Sequence, residues 1–168
     1  ILKEDYNKVN NLSLLGVFLV VAFSFKSVLL ALLAMIPIEI ASFVNMSFSD
    51  IYGTKLSFIG YIVVSSIQLG ATVDYAILSI SNYRELRKRL NKKESAIKMT
   101  KFSIHSIITS GTILVICGYV VSFISKLPAI GQLGHLIGRG AIVSMAFVIF
   151  LLPALLMIFD GLLVKENK

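Results

Sequence analysis

Apolar residues fall into five long blocks separated by short polar interruptions: about Val9–Phe25, Ser27–Met46, Leu56–Ile80, Phe102–Ile124 and Gln132–Leu163. Each block supplies, or comes close to, the roughly 20 residues that a helix rising 1.5 Å per residue needs to cross a bilayer. The pattern predicts an all-α, polytopic membrane bundle of five transmembrane helices. Only Lys26-Ser27 separates the first two blocks, which implies a tight turn at one membrane face. Pro37 falls inside the second block and Pro153 inside the fifth. Membrane helices tolerate such prolines because neighbouring helices re-satisfy the freed backbone groups.

Composition strengthens this reading. The chain of 168 residues is 57% hydrophobic with a mean hydropathy of +0.87, and only 15% of it is charged, too little to coat a soluble core of this size. No polar domain follows a single leading apolar stretch, so a lone signal peptide does not explain the pattern. The chain opens on Ile1 with polar residues running straight into a span, and it reads as a fragment of a larger protein. The one cysteine, Cys117, lies in an apolar run, allows no intrachain disulfide and reads as packing.

Charge sets the expected orientation. The connection after the third span carries Arg84, Arg87, Lys88, Arg89, Lys92, Lys93, Lys98 and Lys101, which makes it cytoplasmic by the positive-inside rule. Alternation then adds Lys26, Lys165 and Lys168 on that side and leaves Lys3, Lys8, Lys55 and Lys126 outside, with Arg139 inside the fifth span. Residues 1–8 accordingly read as the end of an extracytoplasmic segment, 9–164 as the transmembrane domain and 165–168 as a cytoplasmic tail. The net charge of +7 is explained by anionic lipid headgroups, without a nucleic-acid partner. Tyr83–Lys101, with Leu86, Leu90, Ile97 and Met99 among its charges, reads as an amphipathic helix along the inner surface; docking of a cytoplasmic partner is the alternative.

Candidate chemistry centres on Asp74, a carboxylate well inside the third span. An ionised side chain there costs about 2.5 kcal/mol or more, so it marks a functional site by default. Ser66, Gly70 and Asp74 recur every four residues and share one helix face, with Tyr75 about 100° around the axis. Small residues on that face would admit another helix closely. At matching depth the fourth span offers Thr109 and Ser110, either as partners or water-holders for Asp74 or simply bonded back to their own helix. His105, one turn nearer the cytoplasm, reads as interfacial. Depth alone pairs Glu39 of the second span with Arg139 of the fifth as an intramembrane ion pair; the rival has Arg139 snorkelling outwards and Glu39 protonated or facing water. There is no GxxxxGK[ST] loop, no nucleophile turn and no metal-binding cluster, so neither an enzyme nor a cofactor or metal is expected.

Gly70-Ala71-Thr72-Val73-Asp74-Tyr75 resembles the GxxxDY signature of the MMPL branch of the resistance-nodulation-division (RND) superfamily. Ser81-Asn82-Tyr83-Arg84-Glu85 is similar to that family's S-x-Y-R-E stretch, and Thr109-Ser110-Gly111 to its next helix. Phe25-Lys26-Ser27, Leu127-Pro128-Ala129, Leu133-Gly134 and Leu152-Pro153-Ala154-Leu155 match further landmarks, so the resemblance covers nearly the whole chain. It implies one five-span half of a twelve-span, proton-driven exporter of lipids or hydrophobic drugs in a bacterial plasma membrane. Gln68-Leu69-Gly70-Ala71-Thr72 looks like the C-terminal copy. By the same resemblance Asp74 is a proton-relay carboxylate and Tyr75 its hydrogen-bond partner towards the other half. The implied partners are membrane lipids, the other transmembrane half, extracytoplasmic domains and a hydrophobic substrate. Superfamily relatives also include five-span sterol-sensing bundles, which leaves a lipid-binding sensor or assembly module as the alternative.

Overall fold

The computed structural model describes the backbone of residues 2–51 and 58–162 and the side chains of residues 8–48, 60 and 62–162. Five helices follow in order: α1 (Leu2–Phe25), α2 (Val28–Ile51), α3 (Phe58–Arg87), α4 (Lys92–Ile124) and α5 (Pro128–Ile158). All five are long and apolar enough to cross a membrane, and no strand occurs among the described residues. The expected tail 165–168 and the loop holding Lys55 lie outside the described residues.

Local chemistry explains the breaks. Lys26 adopts a left-handed φ of 51°, and Ser27 then accepts a hydrogen bond from the Leu30 N–H (3.2 Å), capping the start of α2. Asn91 caps α4 by accepting from the Glu94 N–H at 2.9 Å. That cap corrects the reading of Tyr83–Lys101 as one surface helix. Tyr83–Arg87 finishes α3, a short turn follows, and Lys92–Lys101 opens α4. At 1.5 Å per residue the 33 residues of α4 extend about 50 Å, well beyond a hydrocarbon core of about 30 Å, so the helix is longer than one crossing needs and its first turns are the charged ones. Residues 2–8 form the first turns of α1, continuous with its apolar stretch.

Helix α3 touches all four of the others, α5 packs on α2, α3 and α4, and α1 lies at the edge. The core is built from Val21, Leu30, Leu33, Ile38, Ala76, Ile80, Tyr83, Ile107, Val148, Leu152 and Leu156, all nearly inaccessible. Glycines bring α4 and α5 into backbone contact. A Cβ on Gly118 would stand 2.6 Å from the Gly138 nitrogen and 2.8 Å from the Gly134 oxygen, so any side chain there would push the helices apart.

Candidate functional site

The spacing of Ser66, Gly70 and Asp74 puts them on one side of α3, and all three are exposed. A Cβ on Gly70 would meet nothing within 4 Å. The opposite side of the helix is buried through Gln68, Thr72, Ala76, Ser79, Ile80 and Tyr83. A polar stripe of α3 therefore faces away from its own bundle. Between it and α4 runs a groove of about 470 Å³ with Asp74, Tyr75, Ser106, Ser110 and Ile113 in its walls. Asp74 makes no hydrogen bond or ion pair among the described residues. Tyr75 is only 7% exposed: its ring belongs to the hydrophobic core and one edge reaches the groove.

Asp74, Tyr75 and Ser110 are thus brought together, whereas Thr109 does not line the groove. The Thr109 hydroxyl donates to the His105 carbonyl at 2.8 Å and the Ser110 hydroxyl to the Ser106 carbonyl at 2.7 Å. Both protons are spent within α4, and Ser110 keeps only its acceptor capacity towards the groove. Ser66 lies further along the stripe, outside the groove. Cys117, expected to pack, is instead exposed on the groove wall.

Arg139 does not pair with Glu39. Its Nε donates to Asn45 Oδ1 at 2.9 Å and one terminal nitrogen to the Asn45 carbonyl at 2.7 Å, while the guanidinium lies 5.5 Å from the Phe48 ring centroid. Asn45, which is fully buried, donates to Gln68 Oε1 (2.9 Å) and to the Leu136 carbonyl (3.1 Å), and Gln68 donates to Ser144 (3.0 Å). The network ties α2, α3 and α5 together. It fits because Gly140 lacks a Cβ, which would stand 2.5 Å from Asn45 Nδ2. Equal depth along two helices does not align their faces, and half-buried Glu39 is left out of the network. A double-mutant cycle is expected to show coupling of about 1 kcal/mol or more between Arg139→Gln and Asn45→Ala, and none between Arg139→Gln and Glu39→Gln. Unfolding in a denaturing detergent reads it out; coupling to Glu39 alone would restore the ion pair.

At the opposite, basic face, Asp160 accepts from Tyr83 Oη (2.7 Å), Arg87 Nε (2.7 Å) and an Arg87 terminal nitrogen (2.9 Å). Arg84 reaches the Phe25 carbonyl at 3.2 Å. This cluster closes α3 onto α5 and onto the α1–α2 turn. Sequence reasoning passed over Asp160, although a carboxylate inside the predicted fifth span carried the same signal as Asp74.

Comparison with known proteins agrees with this architecture. The chain is 28% identical over 105 residues to "Probable transport protein MmpL12" of Mycobacterium tuberculosis, covering 62% of this chain and 9% of that protein. It is 23% identical over 158 residues to the membrane protein MJ1562 of Methanocaldococcus jannaschii (94% and 40%). Over 156 residues it is 26% identical to the membrane protein ActII-3 of Streptomyces coelicolor (90% and 22%). The chain therefore spans less than half the length of each of these relatives. No solved structure matches it. The MMPL family description matches residues 1–167, and with five membrane-crossing helices beneath it the chain belongs to the MMPL family as a multi-pass membrane protein.

Proposed function

We propose that this chain is the transmembrane half of a membrane transporter that uses the proton gradient to export lipids or other hydrophobic compounds, with Asp74 as its proton-carrying carboxylate. One observation carries the reading. Asp74 stands in the wall of an open groove, on a stripe of small and polar residues that is exposed among the described residues. Bare exposure to lipid is costly for a carboxylate, so the stripe calls for a polar or protein cover, as a second helix set would supply. In that cover Asp74 has a partner when ionised and loses it when protonated. Proton uptake from one side and release to the other would then bias two arrangements of the half-bundles. The buried ring anchors Tyr75, which shares the groove wall with Asp74. Extracytoplasmic domains, moved by the bundle, would carry the hydrophobic substrate.

The test is efflux of a hydrophobic dye or lipid from proteoliposomes holding the whole protein that carries this chain, under an imposed pH gradient. Efflux is expected to follow the gradient and to stop on adding a protonophore. Efflux that persists without a gradient would remove proton coupling.

A further inference from the structure

A second groove, of about 590 Å³, lies between the first turns of α4 and the last turns of α5 on the basic membrane face. We propose that it is a binding site for an anionic phospholipid of the adjoining leaflet. The groove is polarised along its length. Lys92 and Lys93, the first two residues of α4, stand at its mouth, and Thr100 lies eight residues further along the helix, about 12 Å into the span. Between these ends the lining is apolar. Ala96 is 2% exposed and, with Ala154 on α5, leaves room that larger side chains would fill; Ile97 and Ile158, at 61% and 73% exposed, form the outer lips. A positive mouth opening into an apolar trough on the lipid-facing side of a span fits an amphiphile with a negative head and an acyl chain. A soluble anion would have no use for the trough, and a neutral lipid none for the lysines.

The lysines are also available. Neither makes an ion pair or side-chain hydrogen bond among the described residues. The carboxylate within reach of Lys92, that of Asp160, has its oxygens taken by Arg87 and Tyr83. Glu94, in the same turn of α4, does not line the groove. The exposed Lys88 and Arg89, close by in the preceding turn, are outside it too, and so provide an internal control for charge alone.

The experiment titrates the whole protein, in neutral detergent, with dioleoyl-phosphatidylglycerol or dioleoyl-phosphatidylcholine, counting bound lipids by native mass spectrometry. The wild type is expected to bind the glycerol lipid more tightly at one site. K92Q/K93Q should weaken that site by about fivefold for each lysine, the usual contribution of a lysine beside an anionic lipid surface. K88Q/R89Q should leave it unchanged, and Ala154→Phe should weaken it by filling the trough. Because both lysines are exposed, K92Q/K93Q tests the site without disturbing the core. Equal binding of the two lipids, an unchanged K92Q/K93Q, or equal losses in both charge pairs would each overturn the assignment.

Discussion

Asp74→Asn in the whole protein is expected to abolish gradient-driven export, by roughly a hundredfold or more, as removal of a proton-transferring group commonly does. The amide matches the carboxylate in shape but does not ionise, so it cannot take up and release a net proton. Packing gives no competing explanation: Asp74 is exposed, has no bonded partner among the described residues, and lines an open groove. The thermal unfolding midpoint of the variant should therefore match that of the wild type, measured at equal membrane expression. Tyr75→Phe should show the complementary split. The ring that fills the core is kept, so folding is spared, while loss of the hydroxyl slows export. Normal export by Asp74→Asn would make the carboxylate a spectator and favour a lipid-binding module. A lowered unfolding midpoint would make it a structural residue.

How far the site could be read in advance depended on which geometry was needed. Helix periodicity alone places Ser66, Gly70 and Asp74 on one face, because 3.6 residues per turn leaves no freedom in that relation. Apolar block length likewise anticipates five helices, and the Lys26-Ser27 break anticipates the first turn. Relations between helices were harder, since rise along an axis says nothing about rotation around it. Glu39 and Arg139 were matched by depth, yet Arg139 turns to Asn45, whose place beside Gln68 depends on the volume left by Gly140. Thr109 and Ser110 were matched to Asp74 by depth with bonding back to their own helix as the alternative; both hydroxyls do bond back, while Ser110 still shares the groove with Asp74. The stretch Tyr83–Lys101 misled for a different reason. Its amphipathic pattern is real, but the Asn91 cap divides it between two helices.

Asp160→Asn is expected to destabilise the folded protein by about 2–3 kcal/mol, and Asp160→Ala by more. The Asp160 side chain is 7% exposed and receives two charge-assisted hydrogen bonds from Arg87 as well as one from Tyr83, itself only 1% exposed. Breaking a fully buried ion pair costs about 3–5 kcal/mol, and an exposed pair is worth about 0–1 kcal/mol. The Arg87 side chain is 28% exposed, which places the cost between those limits because its guanidinium can still reach water. Asparagine keeps an acceptor for Tyr83, whereas alanine leaves that buried hydroxyl unpaired and adds its desolvation penalty. The same contacts predict a pH dependence. Hydrogen bonds from Arg87, with those from Tyr83 and the nearby charges of Arg87 and Lys92, outweigh burial and hold the Asp160 carboxyl below the ordinary aspartate value of 3.8. A depressed native pKa stabilises the fold fully above the unfolded value, and this contribution is lost as pH falls through the lower native value. The wild-type unfolding midpoint in detergent should therefore drop as pH is lowered past 3.8, and Asp160→Asn should remove that part of the slope. Coincident pH curves for the two proteins would mean that the Asp160 contacts add nothing to the hold of α5 on α3, leaving it to the shared apolar core that includes Ile80, Tyr83, Leu152 and Leu156 and to the Gln68–Ser144 hydrogen bond.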